Sequence, residues 1–189
     1  MKIRVGLIGA VLALAAFNVS AASAATSCNY IGTTVFAPWG DTSLYTLASG
    51  ANLESGSAGW SFWGNSARVI ATDDNPLLGA GTHSVELAGA SSAKSPAWCV
   101  DDTTPSMRFF VRRVSGNGSL TVKSTLTGSS TYTIISTFNG TSSWAPSPIV
   151  AFPNWGLTGS VTAQFVFQST DANTTYRIDD VYIDPFRCC

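Results

Sequence analysis

A carboxylate lies on the apolar side of the last strand-like run of this sequence. Residues 176–184 alternate apolar and polar side chains. If Val181 and Ile183 point into a core, the two-residue period of a strand directs Asp179 the same way. A buried carboxylate needs a cation or several hydrogen-bond donors. The run therefore predicts a structural metal or a charge pair near the end of the chain.

A second carboxylate, Glu54, lies near the beginning of the predicted folded body. If the first and last strands meet, Glu54 and Asp179 would converge with backbone carbonyls around Ca²⁺, which prefers about six to eight oxygen ligands. The alternative is that Asp179 pairs with Arg68 or Arg177, or caps a turn, while Glu54 is solvated. Asp180 is expected on the opposite, exposed face. We predict a structural calcium site at Glu54 and Asp179.

Tryptophan side chains are the second source of candidate chemistry. Sugars present C–H faces that stack on exposed indole rings, so a groove with one or two tryptophans and polar donors would bind glycans. Trp63 and Trp155 lie beside Gly and Asn in loop-like sequence and are the candidate ligand-binding residues. Trp60 and Trp144 are expected in the core, which is also the alternative for the other two.

Catalytic patterns are weak in this sequence. Glycoside hydrolysis needs two acids about 5 to 10 Å apart in a cleft, whereas neighbours in an extended chain point apart. His83 is the only histidine and no G-x-S-x-G turn is present, so we expect it at the surface end of a strand. We predict a protein that is not an enzyme. The alternative is a small glycan-active hydrolase or lyase with acids drawn from Asp73, Asp74, Asp101 and Asp102.

Four cysteines favour disulfides over metal thiolates, because the chain is predicted to be exported. They are Cys28, Cys99, Cys188 and Cys189. A bridge between adjacent residues is strained and rare. Either Cys28 and Cys99 each pair with one of the terminal cysteines, or they pair with each other.

The amino terminus predicts secretion. Residues 1–24 carry Lys2 and Arg4, an apolar stretch and small residues that end at Ala24, which are the three parts of a signal peptide. The stretch is shorter than the about 20 residues that cross a bilayer, and no later segment is long and apolar enough. Removing 24 of the 189 residues leaves 165, a normal size for one domain.

Charge disfavours nucleic acid as a partner. Without Lys2 and Arg4, 8 of the 10 basic residues remain against 11 acidic residues, which is a net charge of about minus three.

Short runs of apolar alternation separated by Gly, Asn, Ser, Thr and Pro predict an antiparallel all-β domain of about nine strands in two packed sheets. The runs 107–114 and 120–126 are predicted to form a hairpin through the loop 115–119. Seven further strands are predicted, over 67–71, 84–87, 93–100, 132–137, 148–152, 161–168 and 175–184. Residues 25–51 read as a less regular lead that packs on the body formed by residues 52–189.

Several of these pieces together resemble carbohydrate-binding modules and galactose-binding-like jelly rolls. They are the run 52–56 with Gly59 and Trp60, then Trp144, then the run 178–184. The resemblance implies a jelly-roll β-sandwich and, in the positions of Glu54 and Asp179, the structural calcium.

The chain also resembles a group of secreted bacterial proteins, many from actinobacteria. The matching residues are Cys28, Pro38 with Trp39, the run 95–100, and the run 108–112. This resemblance implies a disulfide between Cys28 and Cys99.

We therefore predict a secreted, non-catalytic binding module for carbohydrate or a cell-surface glycan. The main alternative is a structural or adhesive extracellular protein that assembles through Cys188 and Cys189.

Overall fold

A computed structural model describes residues 28–64, 66–72, 75–79 and 81–185. The predicted signal peptide, Asp73, Asp74, Cys188 and Cys189 lie outside this range. The described residues form one short 3₁₀ turn, Ala37–Trp39, and thirteen strands. The strands are β1 Thr46–Leu47, β2 Ser61–Trp63, β3 Ala67–Ile70, β4 Ser84–Ala88, β5 Ser92–Lys94, β6 Trp98–Val100, β7 Ser106–Ser115, β8 Leu120–Leu126, β9 Thr133–Phe138, β10 Ala145–Pro146, β11 Val150–Ala151, β12 Val161–Ser169 and β13 Thr175–Asp184.

The strands form two antiparallel sheets, as the alternation predicts. The first has seven strands in the order β10-β7-β13-β4-β3, with β1 paired to β13 and β11 paired to β7. The second has six strands in the order β2-β5-β12-β8-β9, with β6 paired to β12. The predicted all-β, antiparallel jelly-roll sandwich is confirmed. Within the described ranges, no helix has the length and apolar character that a membrane crossing requires.

The main core lies between the two sheets and is built from alternate strand residues. Phe109 and Val111 of β7 face Phe165 and Phe167 of β12, and the three phenylalanines have no exposed surface. Full burial of a side chain of this size stabilises the fold by about 1.5–3 kcal/mol. Trp60 also lies in this core, as predicted.

The predicted hairpin of β7 and β8 is wrong, because the two strands belong to different sheets. Strand β8 pairs with β12 and β9 instead. The loop between β7 and β8 crosses the edge of the sandwich, where the N–H of Gly118 donates to Oγ1 of Thr174 at 2.7 Å. A side chain at Gly118 would meet Asp171 Cβ at 2.4 Å, so glycine permits this close crossing.

The predicted strand over residues 93–100 is two strands, β5 and β6, with Pro96 between them. Both pair with β12. Proline cannot donate to a sheet ladder, so the run is interrupted there.

The segment before β2 packs over the outer face of the seven-stranded sheet. Phe36 and Tyr45 form a second, smaller core there with Phe110 and Trp144. Under this segment Arg108 donates to Asp41 at 2.8 Å, and each of these side chains is only 12% exposed. The lead predicted to pack on the sandwich thus covers one of its two outer faces.

A disulfide joins Cys28 to Cys99 of β6, with the two Cα atoms 5.7 Å apart. This confirms the pairing that the resemblance implies. The backbone N–H of Cys28 also donates to Asp101, and the Tyr30 hydroxyl donates to the carbonyl of Cys99. The start of the described chain is thereby tied to the six-stranded sheet, while residues a few positions later cover the seven-stranded sheet.

Candidate functional site

A β-bulge interrupts the closing strand at the residues expected to bind a cation. Asp179 lies opposite Phe110 and Tyr182 lies opposite Arg108, so two residues of β13 face one residue of β7. Asp180 within the bulge has a φ of 47°. Because the bulge adds one residue, the inward positions change parity at this point.

The change of parity places Asp179 on the outer face of the sheet, which corrects the expected orientation. Ile178 before the bulge and Val181 after it both face the main core. Asp179 shares a face with its cross-strand partner Phe110, which belongs to the second core. Asp179 is buried, with 1% exposure, but it is covered by the outer layer and not by the opposite sheet.

Backbone donors satisfy the Asp179 carboxylate. It accepts hydrogen bonds from the N–H of Asn75 at 3.2 Å and from the N–H of Asp180 at 2.7 Å. The Asn75 side-chain amide donates in turn to Asp180 at 3.1 Å. Asp180 is half-buried, whereas we expected it to be exposed.

Glu54 caps the segment that precedes β4. Its carboxylate accepts bonds from the backbone and hydroxyl of Thr82, at 2.9 and 3.0 Å, and from the backbone of His83 at 2.9 Å. The His83 Nδ1 atom lies 3.3 Å from the same carboxylate. Burial alone would raise the pKa of Glu54, but these hydrogen bonds outweigh burial and lower it to about 2.

Glu54 and Asp180 line one polar cleft of about 160 Å³ together with Asn52, Asn75 and Tyr182. Among the described residues, no three Asp, Glu, His or Cys side chains are grouped as metal ligands. A cation bound by Glu54 would compete with the donors of Thr82 and His83. Calcium at Glu54 and Asp179 stays a prediction.

The outer face of the six-stranded sheet carries a different set of side chains. In strand β2 the half-buried Phe62 packs against the core, so its neighbours Ser61 and Trp63 point outward. The Trp63 side chain is 46% exposed. Cross-strand pairing aligns Trp63 with an outward polar row across the sheet, formed by Ser92, Gln168, Thr121 and Thr137.

A parallel row lies beside it and supplies two lysines. Lys94 of β5 and Lys123 of β8 both pair with Val166 of β12. The Lys94 ammonium lies 5.4 Å from the centroid of the Trp63 ring, and Lys123 donates to the Gln168 side chain at 2.8 Å. The sheet thus presents an aromatic ring, two ammonium groups and an amide on one surface.

These rows form the floor of an open groove of about 280 Å³. Its lining residues are Trp63, Ser92, Lys123, Tyr132, Val166 and Gln168. Tyr132, just before β9, is 43% exposed. The groove combines two aromatic rings with hydrogen-bonding groups, the composition that suits a stacked, polyhydroxylated ligand.

Trp155 belongs to another place on the molecule. Its ring is half-buried and packs on Phe152, with the ring centroids 5.5 Å apart. It lines a small cleft of about 30 Å³ with Asp101 and Asp102. The structure therefore does not bring Trp155 into the groove of Trp63, and a ligand-binding role for Trp155 stays a prediction.

Asp101, a candidate acid of the alternative enzyme, organises a turn. It accepts hydrogen bonds from the Thr103 backbone and hydroxyl, at 2.9 and 2.6 Å, and from the Thr104 hydroxyl at 3.0 Å. Burial would raise the pKa of Asp101, but these bonds and the one from Cys28 lower it below the ordinary value. A carboxyl held ionised in this way is a poor general acid.

Sequence reasoning missed five of the six lining residues, and it also missed Lys94, which lies over the Trp63 ring. The two-residue alternation of β8 and β12 places Lys123 and Gln168 outward and was a usable signal. The alternation does not indicate the strand order, which places β2, β5, β12 and β8 side by side.

No protein-family model matches this sequence, and no curated protein matches it. Solved structures do resemble it. The CBM22-1 xylan-binding domain from Paenibacillus barcinonensis Xyn10C has 15% identity and a TM-score of 0.57, over 86% of this chain and 100% of that chain. The CBM22-1-CBM22-2 tandem domain of the same protein has 16% identity and a TM-score of 0.58, over 87% and 48%.

A third similar structure is that of the CBM22-1-GH10 modules of Clostridium thermocellum xylanase 10B complexed with xylohexaose. It has 15% identity and a TM-score of 0.53, over 76% of this chain and 28% of that chain. At these identities the likeness shows the fold: this chain has a jelly-roll sandwich similar to that of carbohydrate-binding modules.

Proposed function

We propose that this protein is a secreted, non-catalytic carbohydrate-binding module. Its binding surface is the groove on the outer face of the six-stranded sheet. The observation that carries the proposal is the Trp63 ring, which is 46% exposed above a polar row on this face. A large aromatic side chain in that position has no packing role in the main core.

The chemistry of the groove suits a sugar chain. The C–H face of a pyranose ring would stack on Trp63 or Tyr132, and ring hydroxyls would exchange hydrogen bonds with Ser92 and Gln168. The regular spacing of strands, about 4.8 Å, provides repeated polar positions along an extended ligand.

The two outer faces of the sandwich are not equivalent, and this asymmetry supports the proposed surface. The segment with Phe36 and Tyr45 covers the seven-stranded sheet. On the six-stranded sheet Ser92, Lys94 and Gln168 are half-exposed. The similar xylan-binding domain of Paenibacillus barcinonensis makes carbohydrate the first ligand class to test.

Export is part of the proposal. The predicted signal peptide and the Cys28–Cys99 disulfide both fit an oxidising compartment. The hydrogen bonds that hold Asp101 ionised support a non-catalytic role.

The test is a glycan array followed by calorimetric titration of wild-type protein and Trp63→Ala. Loss of one stacked ring should weaken binding by about 1–3 kcal/mol, by analogy with other base and ring stacking on aromatics. The matched control is Trp39→Ala, because Trp39 is 38% exposed in the 3₁₀ turn of the segment that covers the other sheet. Trp39→Ala should retain wild-type affinity.

Failure to bind any polysaccharide would end the proposal. Binding that is unchanged in Trp63→Ala would show that the groove is not the binding surface. Trp155→Ala decides separately whether the predicted residue Trp155 contributes, and we expect little change because that ring lines a different cleft.

A further inference from the structure

The groove face has an unusual distribution of charge. The six strands of its sheet, all within the described residues, contain no Asp or Glu. They contain Lys94 and Lys123, the only lysines of the sequence apart from Lys2. A protein with a formal net charge of −1 thus presents a face whose strands carry only positive charge.

Strand pairing defines the separation of the two lysines. Both lie opposite Val166, one on each side of β12, so all three side chains share the outer face. Two strand spacings separate the lysine backbones by about 10 Å. Val166 is 8% exposed and forms a low floor between them.

The lysines differ from other basic residues of the fold in their partners. Arg68 and Arg177 pair with Glu86, and Arg108 pairs with Asp41. Among the described residues, no ion pair with a carboxylate involves Lys94 or Lys123. Lys94 lies over the Trp63 ring and Lys123 donates to Gln168, a neutral acceptor.

A neutral ligand in this groove would cover two ammonium groups without compensating their charge. Partial loss of hydration around an uncompensated charge is unfavourable. A carboxylate placed at each ammonium offsets that loss with a charge-assisted hydrogen bond. The charge of the groove therefore selects for anionic ligands.

We infer that the groove binds an acidic polysaccharide whose uronic-acid carboxylates pair with Lys94 and Lys123 while a sugar ring stacks on Trp63. The inference rests on the proposed function and specifies its ligand class.

The test compares polymers that differ only in charge. Polygalacturonate, alginate and hyaluronan are each titrated beside their carboxyl-reduced forms, in which every uronic acid is a neutral hexose, and neutral xylan is included. At least one acidic form should bind more than about tenfold tighter than its reduced form, and the difference should shrink in about 0.5 M salt.

Variants assign the charge dependence to these residues. Lys94→Gln and Lys123→Gln should each weaken binding of the acidic polymer about fivefold. Lys123→Arg, which keeps the positive charge, should retain most of the wild-type affinity. Arg68→Gln is the matched control, since it removes one positive charge from the other sheet, where the Arg68 side chain is 62% exposed. It should change affinity less than about twofold.

The outcomes separate the two claims. If xylan or the reduced polymers bind with Trp63 dependence and the acidic forms bind no tighter, the inference is overturned while the proposed function stands. If no polymer binds, both fall. Acidic polymers that bind equally well to Trp63→Ala and to both glutamine variants also overturn it, because such binding is not located in the groove.

Discussion

At the residue scale, the two carboxylates predicted to share a cation, Glu54 and Asp179, accept hydrogen bonds from different segments of the backbone. Glu54 holds the backbone that enters β4, and Asp179 receives backbone donors from Asn75 and Asp180. Each carboxylate fixes a segment that has little regular structure of its own. The ionised form of Glu54 is therefore part of what stabilises this edge of the sandwich.

The lowered pKa of Glu54 predicts an acid-dependent contribution to stability. Its pKa falls from 4.5 to about 2 on folding, so its contribution is complete above about pH 5 and is lost as the pH falls towards 2. The side chain is 35% exposed, so solvent screening limits the contribution to about 1 kcal/mol.

Urea unfolding of wild type and Glu54→Gln between pH 7 and pH 2 measures this effect. The difference in free energy of unfolding should be constant at neutral pH and shrink below about pH 4.5. Thr82→Val removes the hydroxyl donor but keeps the backbone donors. Its difference from wild type in free energy of unfolding should show the same pH dependence with a smaller amplitude. A difference that stays constant down to pH 2 would show that Glu54 titrates normally in the folded protein.

The calcium prediction also belongs to this scale. If Ca²⁺ binds at Glu54 and Asp179, chelation should lower the melting temperature, because a ligand present at 100 times its Kd stabilises the folded state by about 2.7 kcal/mol. Differential scanning calorimetry with added calcium and with a chelator measures this. Identical melting temperatures would count against the site.

At the scale of elements, the bulge in β13 decides which side chains face which layer. Without the extra residue, either Ile178 or Val181 would leave the main core. With it, both remain buried, and Asp179 and Tyr182 face the outer layer. The left-handed backbone at Asp180, with a φ of 47°, accommodates the extra residue.

Substitutions at Asp180 test the bulge. Asn tolerates the left-handed region and retains an acceptor for Asn75. The free energy of unfolding of Asp180→Asn should therefore lie within about 0.5 kcal/mol of the wild-type value. Asp180→Val places a β-branched residue in that region and removes the acceptor, and should cost about 2 kcal/mol. Equal urea midpoints for the two variants would mean that the positive φ does not constrain this position.

At the scale of the whole molecule, one segment links both sheets. The Cys28–Cys99 disulfide ties it to β6, and Phe36 and Tyr45 pack on the seven-stranded sheet. This arrangement covers one outer face and leaves the groove face accessible. The covering segment and the proposed binding groove therefore lie on opposite faces of the sandwich.

Removing the disulfide should therefore reduce stability without removing the groove. The bridge closes a loop with a sequence separation of 71, for which chain entropy predicts about 4 kcal/mol. Cys28→Ser/Cys99→Ser should lower the free energy of unfolding by roughly that amount, while the proposed binding of polysaccharide should persist below the melting temperature. A folded double mutant that loses all binding would indicate that the lead also shapes the groove.

The all-β class and most strand positions followed from local alternation, because a two-residue period indicates which side chains avoid water. The Cys28–Cys99 pair followed from a resemblance to secreted proteins. The first inference depends on residues that are close together in the chain, and the second depends on which residue types occur in which order.

Tertiary structure alone decided three matters. The loop after β7 suits a hairpin as well as a crossing between sheets, and only the partners of β8 distinguish them. The successive polar residues Asp179 and Asp180 break the alternation, but only the pairing with β7 shows that Ile178 and Val181 both face the main core. The groove unites Trp63, Lys94 and Lys123 through strands that are distant in sequence, since sheet order is set by packing of the complete core and not by any single segment.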